Sequence, residues 1–150
     1  MTRFTPSLAL IVTVFAATGL LASPKTAPGA TALESQAVRL IAVDHHAFLE
    51  AKATAPPPFD WSTDGCTSTP PSWALTFDGP CQQHDFGYRN LGHGLRLRPT
   101  RAARAWVDGR FLRELRRVCA ERFTELAAVK CRAQARAMHA AVRLFNAPWS

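Results

Sequence analysis

The sequence lacks a membrane-spanning run, an internal repeat and any clear alternation of apolar and polar residues. Its longest uncharged apolar stretch, Leu8–Leu21, falls short of the roughly 20 apolar residues that cross a bilayer, which disfavours an uncleaved anchor. Because Arg3 precedes this stretch and small residues follow it, the pattern is typical of a secretory signal peptide. We expect a signal peptide and flexible leader over residues 1–32, with cleavage somewhere between 22 and 32, and a single domain over residues 33–150.

Cysteine is scarce, with four in the chain, and all four lie beyond the leader. An even count in a small exported domain predicts two disulfides, for which the sequence alone allows about three pairings. We favour Cys66 with Cys81 and Cys119 with Cys131, because short loops close most easily. The competing interpretation is a zinc site, since Cys81 and His84 have Cys-x-x-His spacing. No second pair of nearby ligands completes a tetrahedral set, which disfavours zinc there.

Acidic residues are outnumbered, 11 against 18 lysines and arginines, and the formal net charge is +7. Removal of the leader takes away two cations, so the mature chain keeps about +5. Such a surface favours an anionic partner: phospholipid headgroups, nucleic acid or a cell-wall polymer. A basic helix face is expected from Arg104, Arg110, Arg113 and Arg117, which would hold the protein on anionic membranes. The alternative is an ordinary solvated helix face.

The distribution of apolar residues predicts an all-α class, with a long irregular segment over residues 59–80 that has room for a short hairpin. Pro56 ends the first helix, because proline cannot continue a helix interior. Pro80 is expected in the first turn of the second helix and Thr100 at the N-cap of the third. The predicted helices span about 34–52, 80–92, 101–123 and 125–145.

A histidine and a carboxylate are placed to form a proton-transfer pair. Positions 81, 84, 85 and 88 share one helix face, while Asp108 falls on the apolar stripe of the next helix. A carboxylate buried there needs a partner, and His84 and Tyr88 could both reach it. Asp108 would keep one imidazole nitrogen as N–H and leave the other free to take a proton from water. Alternatively, Asp108 pairs with a nearby arginine and His84 is a solvated histidine.

The segment around Asp64 and Gly65 offers oxygen ligands for a cation. A Cys66–Cys81 bond would bring Asp64 close to Asp85, and the two carboxylates could share a hard cation with a backbone carbonyl. Such a ligand set suits Ca²⁺, and Gly65 would allow close approach of the backbone. Taken alone, Asp64-Gly65 is also an ordinary turn dipeptide.

Residues 59–66 and 81–90, the latter with a Cys-x-x-His-Asp-x-x-Tyr core, closely resemble the secreted phospholipase A2 group of bacterial and fungal type. The resemblance continues through Asp108 and the later cysteines and covers roughly residues 58–145. It implies a small disulfide-bonded helical fold in which two long antiparallel helices carry the site. It also supports both disulfide pairings given above.

The resemblance further implies a secreted, calcium-dependent enzyme that cleaves the sn-2 ester of glycerophospholipids to a lysophospholipid and a fatty acid. The expected partner is a phospholipid membrane or micelle, anionic lipid being favoured, bound peripherally by a monomer. The residues it assigns are His84 as general base, Asp108 as its orienting partner, Tyr88 as a supporting hydrogen bond, and Asp64, Gly65 and Asp85 as calcium ligands.

Two other functions are compatible with parts of the sequence. A non-catalytic lipid- or receptor-binding module could keep the same scaffold, but a pure binder needs no general base. A nucleic-acid binder rests on the arginine count alone, without a matching motif or interleaved aromatics, so no nucleic-acid partner is expected.

Overall fold

The structure is a computed structural model that describes residues 28–145 and Trp149, with side chains from Thr31 to Leu144 and at Trp149. Over these residues all regular structure is helical and no strand occurs, which confirms the all-α class. None of the described helices combines the length and the apolar content needed to traverse a bilayer. The elements are α1 (Pro28–Ala42), α2 (His45–Thr54), α3 (Pro71–Gly87), a π-helical turn (Tyr88–Gly92), α4 (Arg101–Arg122) and α5 (Glu125–Phe145).

Most of the predicted leader, residues 1–32, lies outside the described residues, so the signal peptide and its cleavage site stay predictions. The described part of that stretch differs from the expectation of a flexible leader. Helix α1 begins at Pro28, so residues 28–32 form its first turns.

The single helix predicted over residues 34–52 is two helices, because Asp44 starts a new one. Asp44 has extended backbone (ψ 162°), and its carboxylate accepts the Ala47 N–H at 2.9 Å as an N-cap. The carbonyls left open at the end of α1 are satisfied from other helices. Gln83 donates to the carbonyls of residues 40, 41 and 43, and Arg110 to those of 41 and 43. Arg110 is therefore buried, and its placement on an exposed basic face was wrong.

Helix α3 starts about nine residues earlier than the sequence predicts. Pro71 occupies its first turn, where a proline is well tolerated, and the helix kinks at Phe77 (φ −112°, ψ 17°). The kink has a cause in Pro80, which lacks an N–H and whose ring collides with the preceding turn. Only the second segment of α3 was predicted, and the described part of the 59–80 loop contains no hairpin.

Helices α4 and α5 match their predicted bounds closely. Thr100 caps α4, its hydroxyl accepting the Ala103 N–H at 3.1 Å. The disulfides pair as expected: Cys66–Cys81 fixes the loop before α3 to that helix, and Cys119–Cys131 joins the end of α4 to the start of α5.

The three long helices run antiparallel to their neighbours. His84 contacts Asp108 and Tyr88 contacts Arg104, so position rises along α3 and the π-helical turn as it falls along α4. Arg104 also donates to the carbonyl of Val142, whereas the Cys119–Cys131 bond joins the other ends of α4 and α5. Two long antiparallel helices thus face each other with His84 on one and Asp108 on the other.

Two apolar clusters flank this helix pair. The first holds Ile41, Phe48, Phe86, Val107 and Trp149, and it joins α1 and α2 to the end of α3. The second holds Phe77, Phe111, Leu115, Met138 and both α4–α5 cysteines. Because each cluster contains residues of both α3 and α4, apolar packing holds these two helices together and fixes the relative position of the polar groups between them.

Candidate active site

His84 and Asp108 form a buried hydrogen-bonded pair between α3 and α4. His84 Nε2 lies 3.0 Å from Asp108 Oδ1, and Asp108 is only 1% exposed. A carboxylate can only accept, so Nε2 carries the hydrogen and Nδ1 keeps its lone pair. Burial alone would raise the pKa of Asp108, but the hydrogen bonds from His84 and Tyr88 outweigh it, and the pKa lies below its ordinary value. The carboxylate is therefore ionised and orients the imidazole.

Further side chains hold this pair in place. The Tyr88 hydroxyl donates to Asp108 Oδ1 at 2.8 Å, and Arg104 Nε donates to that hydroxyl at 3.2 Å. Arg104 also places its Nε 3.9 Å from Asp108 Oδ2. The Phe111 ring stacks on His84 with centroids 4.5 Å apart. Asp108 is thus bonded from two helices, and the imidazole has little freedom to turn.

Asp85 organises the loop that precedes the first disulfide. Its Oδ2 accepts the Thr63 hydroxyl at 2.5 Å and the backbone N–H groups of Asp64 and Gly65, each at 3.1 Å. Gly65 has φ +65°, in the left-handed region that glycine adopts without strain. The backbone of Asp64 and Gly65 thus lies against the Asp85 carboxylate, and the assignment of these three residues as calcium ligands stays a prediction.

The Asp64 carboxylate is bonded to two other side chains of the protein, Arg89 and Thr67. Its Oδ1 pairs with Arg89 Nη2 at 2.9 Å, and its Oδ2 accepts the Thr67 hydroxyl at 2.9 Å. Burial raises the pKa of Asp85, and the negative charge of Asp64 raises it further. The hydrogen bond from Thr63 lowers the pKa but does not cancel the rise. A half-buried carboxylate with a raised pKa beside a second carboxylate fits a hard cation by its donor chemistry.

A cavity of about 710 Å³ opens beside these groups. His84 and Asp85 line it together with the loop from Asp64 to Thr69. Its opposite wall is apolar and comes from Phe111, Met138, Ala141 and Val142. The imidazole, the carboxylate pair and an apolar wall therefore face one space of ligand-binding size.

Several residues of the site were missed by sequence reasoning. Thr63 and Arg89 contact the carboxylates expected to hold calcium, and Arg104 was placed only on a basic face. For Thr63, its position inside the resembling segment was a usable signal. For the two arginines there was none, because a long side chain's partner depends on which helices meet.

Comparison with known proteins places the whole site inside a matched region. A family model described as prokaryotic phospholipase A2 matches residues 38–146. The chain is 36% identical over 117 residues to a protein named secretory phospholipase A2 from Arthroderma benhamiae, a match that covers 73% of this chain and 77% of the relative. It is 33% identical over 93 residues to a protein of the same name from Beauveria bassiana, covering 61% of this chain and 46% of that relative.

Proposed function

Because the chain belongs to the prokaryotic phospholipase A2 family, we propose that it hydrolyses the sn-2 ester of glycerophospholipids to a lysophospholipid and a fatty acid. The observation that carries the proposal is the 3.0 Å contact between His84 Nε2 and Asp108 Oδ1 at the wall of the cavity. A non-catalytic binder would gain nothing from a buried ionised carboxylate that fixes the tautomer of a cavity-lining histidine.

The nucleophile in this mechanism is a water molecule. His84 Nδ1 takes a proton from the water as its oxygen attacks the ester carbonyl, and Asp108 stabilises the imidazolium that results. The same proton is then passed to the departing lysophospholipid alkoxide. Tyr88 and Arg104 position Asp108 throughout and do not contact the reacting atoms. The apolar wall of Phe111, Met138 and Val142 accepts acyl-chain carbons and keeps bulk water out.

The proposed mechanism also includes a calcium ion. Asp64, Asp85 and the Gly65 carbonyl would hold a calcium ion, which would supply electrophilic stabilisation of the negative charge that develops during ester hydrolysis. Asp64 must leave Arg89 to take part, since the two are ion-paired here.

The same proposal includes secretion of the protein and its peripheral binding to a lipid surface. The relatives are named secretory, and two disulfides suit an oxidising compartment. The substrate is presented by a membrane or micelle, to which the chain binds from one side as a monomer. The net charge of about +5 that remains on the mature chain favours anionic lipid.

The direct test is fatty acid release from phosphatidylcholine vesicles by purified protein, comparing the parent with His84→Ala. Loss of a general base lowers turnover on the order of 10²–10⁴-fold. A melting curve by circular dichroism shows whether the variant is folded. His93→Ala is the matched control, since His93 is exposed and lies outside the cavity.

Calcium is tested separately by calorimetric titration into His84→Ala and by EDTA with calcium add-back in the parent. Retained lipolysis in folded His84→Ala would reject the base assignment. Activity indifferent to EDTA would reject the Asp64–Asp85 metal site. Vesicle binding without fatty acid release by the parent would favour the non-catalytic binding module.

A further inference from the structure

A second group of metal-ligating side chains lies between the start of α2 and the end of α4. A ring nitrogen of His45, a ring nitrogen of His46 and a carboxylate oxygen of Glu121 all lie within 4.8 Å of one another. His46 Nε2 is 3.1 Å from Glu121 Oε2. Within the described residues this is the one group of three or more such side chains, and the mechanism proposed above makes no use of it.

A buried carboxylate fixes the orientation of His45. Glu114, which is fully buried, accepts both the His45 backbone N–H at 3.1 Å and the ring Nδ1 at 3.2 Å. Arg110 and Arg117 donate to the same carboxylate. Because Glu114 only accepts, Nδ1 carries the hydrogen and Nε2 keeps its lone pair. Histidines that bind metals are held in this way, with the other ring nitrogen bonded to a carboxylate.

A cavity of about 210 Å³ gives the group access to solvent. It is lined by His45, His46 and Glu121 and also by Asp78 and Arg122. The Arg122 guanidinium donates to the Thr76 carbonyl at 3.3 Å, and the Asp78 carboxylate accepts from Gln82 at 2.7 Å. The side chains of His46 and Glu121 are 62% and 42% exposed, so an ion can reach them without any opening of the core.

We propose that His45, His46 and Glu121 bind a zinc-class divalent cation, with water in the fourth position. Two imidazoles and one carboxylate are a ligand set that suits zinc. Ligand bonds of about 2.0–2.1 Å place tetrahedral neighbours about 3.3 Å apart. The His46–Glu121 pair, at 3.1 Å, is already close to that spacing, and all three ligand atoms lie within 4.8 Å of one another.

The proposed site is separate from the catalytic one in position and in ligand class. Glu114 and Glu121 recur on α4 with Arg110 and Arg117 at helical spacing, on a different face from Asp108 and Phe111. Imidazole nitrogen favours zinc-class ions, whereas the oxygen ligands of Asp64 and Asp85 favour calcium. Bound metal would tie α2 to the end of α4 and so stabilise the native chain by mass action.

The experiment uses purified, EDTA-stripped His84→Ala protein, which removes the one cavity-facing histidine of the catalytic pair. Zn²⁺ is titrated by calorimetry, Co²⁺ is followed by its visible absorption bands, and both are repeated in excess Ca²⁺. We expect one Zn²⁺ per chain, a rise in Tm with Zn²⁺, and Co²⁺ bands that excess Ca²⁺ does not remove.

Two exposed positions supply the test variants, since neither change disturbs the core. His46→Ala and Glu121→Gln should each weaken Zn²⁺ binding at least about tenfold and abolish the Tm rise, whereas His93→Ala should change neither. The proposal is overturned by unchanged affinity in both variants, by equal loss in His93→Ala, or by no saturable binding below about 1 mM. None of these readouts depends on lipid hydrolysis, so the two proposals fail independently.

Discussion

Among single residues, Asp108 is both a buried residue of the core and the hydrogen-bond partner of the proposed general base, His84. It is 1% exposed and accepts from both His84 and Tyr88. Asparagine fits the same volume but presents an amide, so the imidazole loses its charged acceptor and its fixed tautomer. We expect Asp108→Asn to lower kcat on the order of 10²-fold or more, measured by fatty acid release beside a circular dichroism melt.

Tyr88→Phe is the graded comparison for that change. It removes one hydrogen bond to Asp108 and leaves the carboxylate and its contact with His84 intact. A hydrogen bond contributes about 0.5–1.5 kcal/mol net, so a kcat loss of roughly tenfold or less is expected. Unchanged turnover in folded Asp108→Asn would remove Asp108 from the mechanism, and a larger loss in Tyr88→Phe would reverse the assigned roles.

Asp85 is predicted to reduce the stability of the calcium-free protein. Burial and the nearby Asp64 raise the pKa of Asp85 above its ordinary value. The folded state then holds the proton more tightly than the unfolded state, so ionisation costs stability above the folded pKa, and this cost fades as pH falls through it. We expect Asp85→Asn to raise the free energy of unfolding at pH 7, with the difference vanishing in acid, measured by urea denaturation in EDTA.

Asp60→Asn is the control of opposite sign. The hydrogen bonds from Ser62 hold the pKa of Asp60 below its ordinary value, so its ionised form stabilises the fold above the unfolded pKa and that contribution is lost in acid. Asp60→Asn should therefore lower the free energy of unfolding at pH 7. A loss of stability in Asp85→Asn at pH 7 would contradict the assigned environment.

Much of the residue-level geometry was predictable because the relevant groups are close in sequence or fixed by helical spacing. His84, Asp85 and Tyr88 lie within two turns of one helix, and the cysteine pairs close short loops. Asp108 was predictable as a charge on an apolar stripe. The partners of Arg89 and Arg104 were not, since a flexible cation can reach many carboxylates and only tertiary packing selects one.

At the level of helices, α3 and α4 approach each other closely because Gly87 has no side chain. A Cβ at Gly87 would lie 2.7 Å from Val107 Cγ1, and valine is too short and stiff to move aside. Overpacking costs about 1–3 kcal/mol, which exceeds the gain of up to about 1 kcal/mol from alanine's helix propensity. We expect Gly87→Ala to lower the free energy of unfolding and to reduce turnover by spreading His84 from Asp108, measured by urea denaturation and lipolysis.

Gly109→Ala is the matched control, because Gly109 lies in α4 and its added Cβ would meet no atom within 4 Å apart from its chain neighbours and the backbone of its own helix. Only the propensity gain applies there, so stability should rise by up to about 1 kcal/mol. Equal stabilisation by both alanines would show that the α3–α4 contact tolerates the extra carbon.

Helix boundaries were predicted well where a capping residue or a proline next to the boundary determines it. Thr100 and the proline after Ala55 mark such ends. The break at Asp44 was missed because apolar periodicity continues across it, while a tertiary network satisfies the exposed carbonyls of α1 through Gln83 and Arg110. The early start of α3 was missed because Pro80 was taken as a first-turn proline, although Pro71 fills that role and Pro80 kinks the helix.

For the molecule as a whole, positive charge is distributed differently from the basic face that the sequence predicts. Arg110 is buried against α1, Arg104 bonds Tyr88 and the Val142 carbonyl, and Arg117 bonds Glu114. Arg110 and Arg104 therefore join α4 to neighbouring helices, whereas Arg117 pairs within α4. Exposed arginines remain on α4, and a further exposed basic stripe lies on α5, which also supplies part of the cavity lining. Its members are Arg132, Arg136 and Arg143.

We expect this stripe to contribute to lipid binding through screened electrostatics. His84→Ala protein, which leaves vesicles intact, should bind more to anionic vesicles than to phosphatidylcholine alone. Binding should weaken as salt rises from about 0.01 M to about 1 M, because the Debye length falls from about 30 Å to about 3 Å. Changing all three arginines to glutamine removes up to about 3 kcal/mol, or roughly 100-fold in affinity.

A second triple variant separates the stripe from total charge. Arg101, Arg113 and Arg116 are exposed on α4, and changing them to glutamine lowers the net charge equally. If the α5 stripe faces the lipid, the α5 triple should lose more affinity in vesicle sedimentation than the α4 triple, and both should lose their salt dependence in part. Equal losses would assign binding to net charge alone, and binding indifferent to salt and to anionic lipid would leave the cations as ordinary solvated side chains.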